Sequence, residues 1–425
     1  MHMVSCHNLH MTSGAVEVAP LCPGSEARMR ILFLNDVFPG RQRGLAASFA
    51  MNPANEVLFA SSYCRQGFSL PGVRRVLLKH VRERPHEDGK DFFEREWSRA
   101  LKVGRLTLES LLKLRESGFT PEIILSSSAK GHTFFVRRVF PKAFLVSYLD
   151  EFFLQSSKER CYSDRMMLLH LLQSASMTQS QAFFVFREEQ KKYFPEFMRD
   201  AIGVVPVFVD TEFFSPACAE PFYHKGVNLS AMPKLVSFSV AGLESARSKG
   251  LWSLVMALLN HQPQCHVVLS GGGAETREQL ESVASRLCGK ETSRLHIMDF
   301  LPLREYRDLL CASTVHVRLE TTDVREGELL EIMSCETLLL TPLLDGTAGF
   351  LRNGENMVIC SQDDPEERYR CLSDLLRKPE ILSSLRANAR KTALAFRWQD
   401  ILPRHAMRLV TAYRQWKNKN PGSVS

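Results

Sequence analysis

The sequence has no Cys-x-x-Cys pair, no apolar run approaching the ~20 residues that span a bilayer, and no compositional sign of disorder. Without paired cysteines there is no framework for structural zinc, and without the long run there is no candidate membrane helix. An aromatic-studded basic stripe, zinc-finger spacing and a helix-turn-helix signal are all missing, so nucleic acid is not an expected partner. Residues 1–28 lack the basic start and apolar core of a signal peptide. They read as a disordered tail, with Met29 opening the folded part and standing as a candidate initiator. The triple glycine 271–273 lacks the Lys-Ser/Thr of a P-loop and the full Gly-x-Gly-x-x-Gly, so it reads as a turn at a strand end.

At 425 residues the chain exceeds what one core usually holds, and two domains are expected. Apolar content of 44% and charged content of 24% describe an ordinary globular protein. A net charge of +7 favours anionic partners, such as nucleotide phosphates or an anionic lipid surface. The 11 cysteines are scattered, several inside apolar segments, an odd and unpatterned count that fits a reducing compartment. A cytoplasmic location follows as an expectation.

Short apolar runs alternate with helical patterns almost throughout. Arg30–Leu34 reads as a strand, 35–40 as a turn, and Glu56–Ala60 as a second strand. Further strands are expected at 122–125, 143–147, 182–186, 235–240, 265–269, 295–297, 315–319 and 338–341. Alternating β and α of this kind calls for parallel sheets covered on both faces. Two such series, separated by the stretch from Pro206 to Pro233, predict two Rossmann-like domains. Ligands of open α/β sheets bind beyond the carboxyl ends of the strands, and two facing sheets place a cleft between them. The last helix carries an apolar stripe of Ala406, Leu409, Val410, Tyr413 and Trp416 that must bury against something.

The most informative stretch runs from Thr322 to Cys335, between the strand-like Val315–Leu319 and Leu338–Thr341. A strand, a polar loop and a helix start place backbone N–H donors at one lip of a cleft, a geometry suited to anions and sugar hydroxyls. Asp323 and Glu331 stand eight positions apart across it. Glu331 lies among Leu329, Leu330, Ile332 and Met333. Either it takes the exposed face of an amphipathic helix, or it is a carboxylate awaiting a ligand.

Several motifs, in order, resemble the retaining glycosyltransferases of family 4, which have the GT-B fold. The opening Met29–Gly40, with its Phe-Pro-Gly turn, is similar to the start of a bacterial branch of that family, as are 118–125 and 139–148. Val209–Pro216 resembles the segment that opens the donor-binding domain, and Gly242–Gly250 the basic loop after that domain's first strand. Glu331-Ile-Met-Ser-Cys335 resembles the family's Glu-Ala-Met-Ala-Cys, and Asn353–Asn356 the turn that follows it.

The resemblance implies an α/β protein with two Rossmann-like domains facing across a cleft. Residues 29–205 would bind the acceptor and 206–398 the nucleotide-sugar, with a helix at 399–425 packing back on the N-terminal domain. It implies hexosyl-type transfer with retention and without a metal or other cofactor. A departing nucleoside diphosphate gains negative charge, which fixed cations and backbone N–H groups must then meet. Arg247 and Lys249 fall at that phosphate clamp, unless they are solvated loop charges. Glu331 matches the carboxylate that holds ribose hydroxyls through charge-assisted hydrogen bonds. Asp323 matches the first carboxylate of the pair, or caps the helix in a capping box with Glu326. Glu326, in a Glu-Gly pair, is an alternative sugar contact. Gly40, Gly242 and Leu330 complete the donor-binding positions, although Gly40 also reads as an ordinary turn glycine.

Where the related branch has a His after the third strand, this chain has Ser127, and His132 falls at the place of an acidic residue. Both are candidate acceptor or sugar contacts, with a plain surface role as the alternative for His132. Ala241 replaces an expected Arg and Glu336 an expected Gly, and Gly349 stands near the place of an expected acid. Two readings follow: a transferase moving sugar to a glycan, lipid-linked or protein acceptor, or a catalytically inactive GT-B module that binds a partner. A nucleotide-sugar epimerase is a third. The basic and apolar stretch from Arg74 to Arg84 either touches the inner face of a membrane peripherally or is solvated charge beside a strand.

Overall fold

The computed structural model describes residues 28–421, apart from 39, 41, 65–68, 81–91, 128–129, 150–163, 241–244, 288–292, 320–325 and 344–347. It divides into two units, one running to Pro206 and taking up the chain again from Gln399, the other Val207–Trp398.

In the first unit β1 (Arg30–Phe38), β2 (Glu56–Cys64), β3 (Val73–Leu77), β4 (Ile123–Ser127), β5 (Phe144–Tyr148), β6 (Ala182–Val185) and β7 (Ile202–Val204) form one parallel sheet. The order is β3-β2-β1-β4-β5-β6-β7. Ile31, Leu32, Phe33 and Leu34 are all fully buried, as unbroken apolar runs in a sheet covered on both faces must be. Each such side chain contributes roughly 1.5–3 kcal/mol on leaving water. Helices α1 (Arg43–Ala50), α2 (Phe92–Glu116), α3 (Val136–Val139), α4 (Asp164–Met177) and α5 (Glu196–Arg199) belong to this unit.

One local expectation fails here. The turn expected at 35–40 begins later, because β1 stays in register with β2 as far as Phe38 opposite Cys64. Phe38 is fully buried, its ring edge-on to Phe59 at 5.0 Å, and that packing extends the strand through polar Asn35 and Asp36.

The second unit holds a parallel sheet of order β12-β11-β10-β13-β14-β15. Its strands are β10 (Lys234–Ser239), β11 (Cys265–Gly272), β12 (Leu295–Asp299), β13 (Val315–Arg318), β14 (Leu338–Thr341) and β15 (Val358–Ile359). A small hairpin, β8 (Tyr223–His224) with β9 (Val227–Asn228), precedes them. The helices are α6 (Ser245–His261), α7 (Ala274–Leu287), α8 (Leu303–Ala312), α9 (Glu326–Ser334), α10 (Pro365–Arg377) and α11 (Pro379–Leu394). The triple glycine ends β11 in a register shift between Leu269 and Gly272, with Gly271 at φ +97.

The last helix, α12 (Trp398–Lys419), crosses back onto the first sheet's unit. Its apolar stripe is buried at Ala406, Leu409, Val410 and Tyr413, and Trp416 packs 5.5 Å from the Phe144 ring. Two polar contacts, one of them buried, tie it down. Tyr148 Oη and His405 Nε2 lie 2.6 Å apart, and Tyr413 Oη donates to Glu122 Oε1 at 2.8 Å.

Candidate active site

Both sheets reverse direction of growth beside their first strand, between β1 and β4 in one unit and β10 and β13 in the other. In each, the crevice beyond the carboxyl ends of those two strands is the place where open α/β sheets bind ligands.

In the second unit Ser239 of β10 lies in register with Arg318 of β13 at that carboxyl edge. Arg318 is buried, and beneath it His316 Nδ1 sits 2.8 Å from Ser237 Oγ, which accepts from Ser313 Oγ at 2.8 Å. Burial first, then Arg318, push His316 down to about 3, so it is a neutral member of this network. Helix α6 begins at Ser245, placing Arg247 and Lys249 in its first turns, where a helix N-terminus favours anions. Their side chains, and all of Gly242 and Asp323, lie outside the described residues.

Helix α9 begins with Glu326 and carries Glu328 in its first turn, which suits the N-terminal dipole. Leu329, Leu330, Ile332 and Met333 are all fully buried, in a cluster shared with α11 and Phe214. Leu330 is therefore core, and only its backbone is left to meet a donor. Glu331 is half-buried, on the side of α9 that also holds Glu328 and Cys335. Its charge is felt by two neighbours. Burial, then Glu328 and Glu331, raise the Tyr306 phenol, and Glu331 adds to the burial that raises the Cys335 thiol. Glu331 is thus neither a freely solvated helix charge nor a core residue.

In the first unit the carboxyl edge of β1 and β4 collects Asn35, Asp36, Gly40, Ser126 and Ser127. Ser126 Oγ donates to Leu34 O at 2.9 Å, and half-buried Ser127 ends β4. Gly40 has φ +55, and a Cβ there would meet Val37 O at 2.8 Å. The turn alone thus requires glycine. His132 is 2% exposed, which excludes the surface alternative for it. Thr107 Oγ1 lies 2.9 Å from its Nδ1, and its Nε2 faces Asp36 Oδ1 at 3.8 Å. Lys130 Nζ stands 3.1 Å from Asp36 Oδ2. Burial alone would raise the Asp36 carboxyl, but His132 and Lys130 outweigh it and hold it at about 2. Asp36 was not singled out in the sequence. Its signal, an acidic residue directly after a buried apolar strand, is shared with any turn.

The Arg74–Arg84 stretch opens in edge strand β3, which ends at Leu77. Arg74 pairs with Glu56 at 3.2 Å, Lys79 with Glu109 at 2.5 Å, and the Arg75 guanidinium lies 5.5 Å from the Phe38 ring centre. Residues 81–91 lie outside the described part. No described helix is long and apolar enough to cross a membrane. Among the described residues, no group of three or more His, Cys, Asp or Glu is placed to hold a metal ion.

Residues 53–214 match the model of the glycosyl transferase family 4 group. The chain has a GT-B fold, and its stretch 53–214 is similar to that family. It is 26% identical over 184 residues to the alpha-maltose-1-phosphate synthase of Mycolicibacterium smegmatis, an alignment covering 42% of this chain and 46% of that protein. The match thus spans about half of that relative's length. Anabaena HepE, solved with UDP-glucose, superposes with a TM-score of 0.62 over 90% of this chain and 100% of its own, at 13% identity. Sucrose-phosphate synthase from Thermosynechococcus elongatus gives 0.63 over 92% and 100%, at 16% identity. A UDP-N-acetylglucosamine 2-epimerase gives 0.59 over 92% and 98%, at 12% identity, so this GT-B fold is shared with more than one chemistry.

Proposed function

We propose that the protein is a retaining glycosyltransferase that moves a hexosyl group from a nucleoside-diphosphate sugar to a glycan, lipid-linked or protein acceptor. The observation that carries the proposal is the placement of Glu331. It is a half-buried carboxylate on the helix that follows β13, beside the switch point of the second sheet. A carboxylate so placed accepts hydrogen bonds from a ribose diol, and its partial burial strengthens them. In this reading Arg247 and Lys249 meet the charge of the departing diphosphate without a metal. Glu326, at the tip of α9, contacts the sugar, with Asp323 beside it or capping the helix. Gly40 and Gly242 let backbone approach the donor. HepE was solved with UDP-glucose, which supports a nucleotide-sugar as the donor class.

In the first unit, Ser127 and the Asp36 carboxylate line the acceptor side, with His132 acting through Asp36. The protein is placed in the cytoplasm. A lipid-linked acceptor would bring it to the inner face of the membrane.

The test is a thermal-shift panel of UDP, GDP, ADP and their sugars, followed by donor turnover on acceptor mixtures. A ligand at a hundredfold excess over its Kd stabilises the fold by about 2.7 kcal/mol. Glu331→Gln and Lys249→Ala are expected to lose that shift and the turnover together. No shift with any nucleotide sinks the donor site. Ser127, at the place of the expected His, favours one second reading, an inactive binding module, which predicts nucleotide binding with no turnover. Sugar interconversion without acceptor would mark an epimerase.

A further inference from the structure

Three imidazoles stand in a row at the amino ends of β11 and β12. His224 comes from the β8–β9 hairpin, His266 from β11 and His296 from β12, the edge strand of the second sheet. His296 is buried and is the middle ring. Its Nδ1 lies 3.2 Å from His224 Nδ1, and its Nε2 lies 3.1 Å from His266 Nδ1. Ring centroids are 5.4 Å apart in both pairs. The row thus has four inner nitrogens in two contacts, and two outer ones, the Nε2 atoms of His224 and His266. Each contact has room for one proton between its nitrogens, and each outer nitrogen carries one more. The row therefore holds four protons at most, whatever the tautomers. Three neutral rings carry three, so one excess proton is shared along the row with both contacts intact. A second sets one N–H against another, and a contact must open.

We propose that this row is a proton-counting latch, which holds the β8–β9 hairpin to the sheet edge while the rings share at most one excess proton and releases it on the second. The contact that opens is His224–His296. His266 and His296 sit on strands tied by a ladder from Val267–Leu295 to Gly272–Asp299. The hairpin has only its own two-pair ladder, and Phe222 and Leu229 beside it pack with Val268 and Met298. Three charged side chains face the rings. Lys225, in the hairpin turn, faces His224 and His296, Glu281 of α7 faces His224, and Arg294 faces His266. Arg294 is fixed by Gln262 O at 2.9 Å and Cys265 O at 3.2 Å, so it stays beside the row. Glu281 is the carboxylate of the three and offers a protonated, released His224 a partner. Burial is the main cause that lowers all three rings, His296 to about 4, so the latch is closed at neutral pH. Because the latched values lie below the ordinary 6.5, latching is complete above that pH and is lost as acid favours the released rings. The row lies at the opposite edge from the carboxyl-end crevice and does not depend on the functional reading above.

The experiment follows hydrogen exchange in the full chain at pH 7.5 and pH 5, corrected for the intrinsic pH dependence of exchange, in peptides covering 220–230 and 336–343. A proton taken up on release is worth up to about tenfold per pH unit below the free-ring value, so the wild-type hairpin is expected to lose about tenfold or more of its protection at pH 5. Strand β14 is expected to stay protected there. His224→Gln keeps a hydrogen-bonding side chain that cannot be charged, and its hairpin is expected to lose the pH dependence. Hairpin protection unchanged at pH 5 in the wild type, β14 opening together with the hairpin, or an equal acid loss in His224→Gln overturns the proposal. The first two are read on the wild type, so they decide even if the variant fails to fold.

Discussion

Glu336 is expected to be the wrong residue for its backbone, and replacing it with glycine should stabilise the second unit. Helix α9 ends with Thr337 N donating to Ile332 O at 3.3 Å and Glu336 N to Met333 O at 3.1 Å. That paired arrangement is a Schellman cap, whose first residue past the cap takes left-handed backbone. Glu336 does so with φ +55, a conformation costing a side chain roughly 1–2 kcal/mol. Glycine escapes that cost but makes the unfolded chain more flexible, which offsets about 0.4–1 kcal/mol of it. Losing the attraction between Glu336 and Arg386 removes a few tenths more. Glu336→Gly is therefore expected to stabilise by about 0.5 kcal/mol. Glu336→Ala keeps the strain and loses the attraction, so glycine should exceed alanine by about 1 kcal/mol. Because the chain has two units, a global melt mixes transitions. Denaturant-dependent hydrogen exchange on peptides covering 326–343 reads the second unit directly. Alanine as stable as glycine would refute the reasoning. The protein contains its own control: α2 ends in the same cap, with Phe119 N on Leu114 O at 3.3 Å, and there the residue is Gly118 at φ +88.

Three more outcomes are expected. His296, His316 and His405 are held near 4, 3 and 3, mainly by burial, against an ordinary 6.5. Because the folded values are depressed, stability is complete above pH 6.5 and falls as acid protonates the unfolded chain. His316 and His405, the most deeply buried, each account for roughly 2 kcal/mol at pH 5. Urea midpoints that do not move between pH 7.5 and 5 would contradict this. Leu330→Ala should cost about 2–5 kcal/mol, because its side chain is fully buried core. A loss of nucleotide binding at unchanged stability would instead restore Leu330 as a donor contact. Gly40→Ala should cost about 1–2 kcal/mol from left-handed strain, with the contact to Val37 O adding to it, measured by urea unfolding. A neutral effect would show that the turn relaxes.

The sequence by itself determined the fold class. Apolar runs such as Ile31–Leu34 and Leu338–Thr341 are long enough and unbroken enough to specify strands buried on both faces, and their alternation with helices specifies parallel sheets. It also marked Glu331 as a carboxylate among apolar neighbours. Glu336 was visible as a departure from an expected glycine, but not as a strained cap, because φ is set by the hydrogen bonds that close α9. Edge strand β3 was read only as a charged, apolar stretch, since pairing on one side leaves its side chains exposed and its alternation blurred. Which residues of α9 are buried was decided by tertiary structure. Leu330 and Glu331 are adjacent in sequence, and only the packing of α9 against α11 makes one core and leaves the other half-exposed. Asp36 meets Lys130 and His132 because β1 and β4 are neighbours at a switch point, and Thr107 reaches His132 from α2, placements that no local pattern encodes.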